Sequence, residues 1–164
     1  YRGISLTPAG KRVALEIVRH HRLIELFLVE ALGYTWDEVH DEAERLEHAV
    51  SERLAERIAE YLSDPDYDPH GDPIPSAEGT VDERQLTSLA EWEIDLPGMV
   101  ARLVDQSPEV LRYLAEKGLV VGASVAVTAR DPFEGPLTLV VDGSEQIIGL
   151  SVARHVLIHA QAAE

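Results

Sequence analysis

His40, Glu44, Glu47 and His48 follow one another at spacings of four, three and one. In a helix those spacings set all four side chains along one ridge. Further upstream, His21 and Glu25 stand four apart, one helical turn. Imidazole nitrogens suit borderline transition ions, and carboxylate oxygens suit harder ones such as Mn²⁺ and Fe²⁺. The chemistry open to these residues is therefore coordination of a divalent ion. If their two helices pack antiparallel through a short turn at Gly33-Tyr34, His21 and Glu25 face His40 as one ligand set. Glu44, Glu47 and His48 then form a second set one turn on, and a carboxylate such as Glu47 can bridge neighbouring ions.

Composition weighs against reading too much into any single pair. Thirty of the 164 residues are Asp or Glu and the formal net charge is −16, so a Glu four residues from a His is common without an ion. The four-residue ridge, and two sets on consecutive helices, carry the metal reading. The same charge repels nucleic-acid phosphates, so these residues by themselves are expected to bind DNA poorly. With no cysteine, disulfides and thiolate metal sites are excluded. No apolar run approaches the ~20 residues of a membrane span, and no signal-peptide pattern opens the chain, which fits a cytoplasmic location.

Catalysis has little support. The chain has no nucleophile motif, no phosphate-cradling Gly loop and no zinc-protease His-Glu-x-x-His, so it is not expected to be an enzyme. His70 sits in a Pro-rich loop, where a structural or surface role is the default. His155 and His159 alternate on a strand, as surface residues do.

The elements that must position the ligands read as follows. Thr7-Pro8 opens a helix that runs to Leu32, with Gly33 as its stop. Its apolar residues lie on more than one face (Val13, Ile17, Ile24, Phe27 and Ala31, with Val18, Leu23, Leu26 and Val29 elsewhere), which suggests dimerisation. Thr35-Trp36-Asp37-Glu38 reads as a capping box for a second helix to about Ala49, with Trp36, Val39, Ala43, Leu46 and Val50 buried and the ligand ridge half-buried beside them. A third helix follows to Leu62, with Leu54, Ile58, Tyr61 and Leu62 inward. Residues 64–80 are rich in Pro, Asp and Gly and read as a loop and a domain boundary. Leu86, Leu89 and Trp92 fit either a short helix or a partly ordered linker. Short strands are expected at 100–104, 124–128, 137–141, 146–150 and 155–159, with a helix at 108–116 and a hairpin turn at Asp142-Gly143. Such strands suggest a small β-barrel.

Arg19-His20-His21-Arg22-Leu23-Ile24-Glu25, followed by Val39-His40-Asp41-Glu42-Ala43-Glu44-Arg45-Leu46-Glu47-His48, resembles the core of the DtxR/MntR family of iron- and manganese-dependent repressors. Pro69-His70-Gly71-Asp72-Pro73-Ile74-Pro75 resembles that family's loop after the third helix, and the C-terminal strands resemble its SH3-like (FeoA-type) domain. The resemblance implies an α+β fold: a wing remnant of a winged helix-turn-helix over 1–10, a helical dimerisation and metal-binding domain over 8–75, a Pro-rich loop and linker over 64–94, and an SH3-like β-barrel over 95–160. It implies that His21, Glu25 and His40 serve one metal site and that Glu44, Glu47 and His48 serve a second, regulatory one. Asp105, Gln106 and Glu109 lie where some members add a ligand from the SH3-like domain. Glu at position 44, where iron-type members usually have Cys, points to Mn²⁺, with Fe²⁺ as the alternative. The chain then works as a homodimer that controls operator binding through DNA-reading helices lying before Tyr1. A metal-independent interaction module is the competing reading.

Overall fold

The Thr7 hydroxyl accepts a hydrogen bond from the Gly10 N–H, and Pro8 follows at the first helical position, so α1 starts where the sequence places it. The computed structural model describes residues 5–81 and 84–161. The first four residues of the wing remnant expected over 1–10 lie outside them, and Ser5 and Leu6 form no strand. Helix α1 spans Pro8–Leu32 and ends on Gly33, whose φ of 73° is left-handed and costs glycine nothing. Two further helices follow, α2 (Val39–Glu47) and α3 (Glu52–Tyr61). The chain divides into two units, 1–83 and 84–164.

In the first unit α1 supplies two adjacent apolar faces. Leu23 packs with Ala55, Ile58 and Ala59 of α3 and with Ile74, while Ile24 and Leu28 pack with Val39 and Ala43 of α2. Several expected core positions lie outside this packing. Leu46, Leu54 and Tyr61 are exposed, as are Val13 and Ile17 near the start of α1. In α3 the small residues Ala55 and Ala59 take the inward places, because close approach of two helices favours small side chains over Leu54 and Tyr61. Helix α2 is also shorter than its pattern suggests. Thr35 does not cap the backbone; its hydroxyl donates to Glu38 Oε2 at 2.8 Å, and residues 36–38 form a turn.

The Pro-rich segment is a loop, but its middle, 68–75, is largely buried. Asp68 Oδ1 accepts the backbone N–H groups of His70 (2.8 Å) and Asp72 (2.9 Å), and Gly71 supplies the positive φ this tight turn requires. Arginines on α1 hold the loop down. Arg19 Nη1 donates to the Pro75 carbonyl at 2.7 Å, and Arg22 donates to the Pro73 carbonyl and faces Asp68 (3.7 Å) and Asp72 (3.8 Å).

The second unit is an antiparallel six-stranded sheet in the order β1-β6-β2-β3-β4-β5. Its strands are β1 (Thr87–Ser88), β2 (Gly98–Leu103), β3 (Ser124–Arg130), β4 (Leu137–Val141), β5 (Ser144–Ile148) and β6 (Val156–Ala160). Helix α4 (Pro108–Glu116) buries Leu111 and Leu114, and α5 is a single turn, Leu150–Ala153. Leu150 therefore begins a helix rather than ending a strand. Residues 86–92 form neither the short helix nor the loose linker expected of them. They give a two-residue strand and turns that bury Leu89 and Trp92, whose indole N–H donates to the Leu96 carbonyl at 2.9 Å. Asp142 and Gly143 both have positive φ and join β4 to β5 in the tight hairpin expected of that pair.

Candidate metal centre

Helix α2 runs back along α1, so Glu25 meets His40 while His21 meets both His40 and Glu47. His21 Nε2 lies 3.0 Å from Glu25 Oε1 and 3.2 Å from His40 Nδ1, and His40 Nδ1 lies 3.2 Å from the same Glu25 oxygen. One ligand atom from each of His21, Glu25 and His40 therefore converges within 4.8 Å. The other His21 nitrogen, Nδ1, sits 2.6 Å from Glu47 Oε2. A carboxylate behind an imidazole fixes the tautomer and orientation of the ring, an arrangement common to metal-binding histidines. With two imidazoles and one buried carboxylate facing a common point, the donor set fits a divalent ion.

Burial of His21 opposes its protonation, but hydrogen bonds to Glu25 and Glu47 and their negative charges outweigh it, and its pKa is raised. For Glu25, burial favours the neutral acid. The hydrogen bond and charge of His21, the charge of His70 and the hydrogen bond with His40 overcome it, and the pKa is lowered. The two carboxylates it touches thus favour the protonated form of His21, and a cation held by this ring would compete with that proton.

The second expected set is not assembled in the same way. Only Glu47 is half-buried; His40, Glu44 and His48 are exposed, so the ridge is more solvated than its spacing suggests. Helix α2 ends at Glu47, which leaves His48 beyond the last helical residue. Glu47 Oε1 faces His48 Nε2 at 3.4 Å, while its other oxygen belongs to His21. Among the described residues, no convergence of Glu44, Glu47 and His48 matches that of the first set.

Residues 7–76 match the family model described as the iron dependent repressor, metal binding and dimerisation domain, and residues 87–160 match the FeoA domain. The iron-dependent repressor IdeR of Mycobacterium tuberculosis is 33% identical, across 99% of this chain and 74% of its own length. The chain belongs to the iron-dependent repressor family. Among solved structures, a manganese-dependent transcriptional repressor in complex with manganese superposes with a TM-score of 0.91 at 43% identity, covering 98% of this chain and 77% of that one. ScaR with bound Zn²⁺ gives 0.82 at 35% identity, covering 97% and 79%. Members of this family are metal-dependent transcriptional repressors, and this chain carries the family's metal-binding and dimerisation domain followed by a FeoA domain.

In this member of the family the residue that the sequence pattern does not single out is His70. It is fully buried, not a surface histidine. Its Nε2 donates to the Trp36 carbonyl at 2.8 Å, its ring stacks on Trp36 (centroids 6.0 Å apart), and Nδ1 faces Glu25 Oε2 at 3.9 Å. In the FeoA domain, Asp105 accepts hydrogen bonds from the backbone N–H and hydroxyl of Ser107, which lower its pKa, and Glu109 lies in the first turn of α4.

The buried loop makes the metal-free repressor sensitive to pH. Burial, with the charges of Asp72 and Glu25, pushes the Asp68 carboxyl up to about 7 from 3.8, against the hydrogen bonds from Asp72 and His70. A carboxyl with a folded pKa above its unfolded one loses stability as pH rises from the unfolded toward the folded value. The raised pKa of His21 acts in the same direction, its stabilisation fading as pH rises above 6.5. Thermal melts of the metal-free chain should therefore show a lower midpoint at pH 7.5 than at pH 5, by about 5 °C. Asp68→Asn keeps the acceptor for both N–H groups and should shrink that difference; an unchanged difference would assign the effect elsewhere.

Proposed function

We propose that this chain is the metal-sensing and dimerisation part of a Mn²⁺-responsive repressor, with His21, Glu25 and His40 as one ligand set and Glu44, Glu47 and His48 as the second. The observation that carries this reading is the position of His21, held at one nitrogen by Glu47 and facing Glu25 and His40 with the other. A bound ion supplies a positive charge that neutralises carboxylates from two helices. His21 and Glu25 hold the α1 side and His40 the α2 side, so the ligands fix the spacing of the two helices. A conformational switch requires the ion to bind the DNA-competent arrangement more tightly than the other, and ligands divided between two helices meet that requirement.

Donor chemistry supports Mn²⁺ over a softer ion, because the set is oxygen and imidazole without thiolate, and Fe²⁺ is the alternative. The solved manganese-dependent repressor with manganese bound supports the same choice. The exposed Val13, Ile17, Leu54 and Tyr61 on α1 and α3 support homodimer formation through those helices, with a two-fold pair matching a palindromic operator. The acidic charge supports operator contact through residues other than those described here.

Calorimetric titration with Mn²⁺, with molar mass read by sedimentation on the same sample, tests this reading. A dimer taking up at least one ion per chain is expected, with uptake weakened in Glu47→Ala. Absence of uptake of both Mn²⁺ and Fe²⁺ would leave the metal-independent interaction module in its place.

A further inference from the structure

Helix α1 meets α2 along one face and α3 along an adjacent one. A second group of histidine and carboxylates lies on the α3 side. Glu16 and His20 stand one turn apart on α1, and Glu52 is the first residue of α3. The imidazole is 6% exposed, whereas both carboxylates reach the surface. His20 Nε2 lies 3.2 Å from Glu52 Oε2, and one ligand atom each of Glu16, His20 and Glu52 falls within 4.8 Å of the others. Glu16 and Glu52 also line an open cavity of about 500 Å³, which has room for waters to complete a coordination shell.

Each simpler explanation covers only part of this group. A carboxylate at the start of a helix is favoured by the helix dipole, which accounts for Glu52 alone. A pair of His20 with Glu52 leaves Glu16 out. Two carboxylates this close repel one another, and among the described residues no Lys or Arg forms an ion pair with either. Arg12 and Arg19 border the same cavity, but Arg19 is turned to the Pro75 carbonyl.

We propose that Glu16, His20 and Glu52 form a further divalent-ion site, separate from His21, Glu25 and His40, that links α1 to α3. One imidazole with two carboxylates suits a divalent first-row ion such as Mn²⁺, Fe²⁺ or Zn²⁺. The buried ring fixes one donor in place, and the carboxylates close on the ion from two different helices. Neighbouring positions on a helix point about 100° apart, so His20 and His21 serve different partner helices. The helices joined in this way carry the exposed Val13, Ile17, Leu54 and Tyr61, so the ion fixes the spacing of that apolar surface.

Titration of the full chain with Zn²⁺, read by the ¹⁵N resonances of the histidine rings, tests the proposal. The His20 ring should shift as the ion is added. Glu16→Gln and Glu52→Gln change exposed side chains and should each weaken that response by at least the about tenfold known for outer partners of a metal. Glu16→Gln is the deciding variant. It leaves the His20–Glu52 bond in place, so an ion pair without a metal predicts no change in it. A His20 ring that stays unshifted, or responds in Glu16→Gln as in the parent, would overturn the proposal. His21→Ala separates the two sites. There the His20 response should persist, and its loss would assign the parent's shift to the neighbouring centre and overturn the further site. A parent in which His20 responds while His21 and His40 do not would instead sink the reading of the first ligand set and leave this one standing.

Discussion

His21→Ala should abolish Mn²⁺ binding at the first ligand set, raising Kd by at least about 100-fold, close to 2.7 kcal/mol. No other single change removes as much from the centre. The ring touches Glu25, His40 and Glu47, so its loss deletes one donor and releases the carboxylate that oriented it. It also leaves Glu25, almost wholly buried, without its nearest counter-charge. The metal-free chain should lose stability as well, because a buried carboxylate stripped of its partner is expensive. Calorimetry with Mn²⁺ reads the first effect and thermal unfolding without metal reads the second. Retention of parental Kd in the variant would place the ion elsewhere.

Arg22→Ala should destabilise the helical unit by about 3 kcal/mol, or roughly 10 °C in melting midpoint. The guanidinium serves the Pro73 carbonyl, Asp68 and Asp72 together, and its removal leaves two carboxylates and a carbonyl facing each other in a poorly solvated pocket. Arg22→Lys should recover little of the loss, since one ammonium cannot match a planar fork that spans three acceptors. Differential scanning calorimetry would expose the alternative: a loss under about 1 kcal/mol would mean that the loop is held by Arg19 and the Asp68 turn alone.

The candidate ligands were legible as a group because helical spacing is periodic. His21 with Glu25, and His40 with Glu47, are placed by the 3.6-residue repeat once the helices are recognised, and Thr7-Pro8 and Gly33 mark where the first one begins and ends. Most strands were legible for the same reason, with β4 falling on the expected residues. What escaped depends on contacts distant in sequence. His70 and Glu25 are 45 residues apart in the numbering, and nothing local to a Pro-rich stretch announces that an arginine on α1 will bury it. Residues 86–92 have almost no periodicity, and their strand exists only because β6 offers an edge to pair with. The orientation of α3 was misread in one respect: hydrophobicity favours Leu54 and Tyr61 for the interior, but helix-to-helix distance selects Ala55 and Ala59.

Helix α1 carries its ligands far from its beginning. Glu25 lies 17 residues beyond Pro8, about 25 Å along the axis, in one unbroken helix of 25 residues. Such a rod acts as a lever whose fulcrum lies where the loop and the ligand helix grip it. A tilt of about 5° imposed at Glu25 carries the Pro8 end through about 2 Å, enough to move a side chain at that end out of hydrogen-bond range. Small adjustments at the ligands thereby gain mechanical advantage, with the displacement greatest at the end where Leu6, Val13 and Ile17 lie exposed.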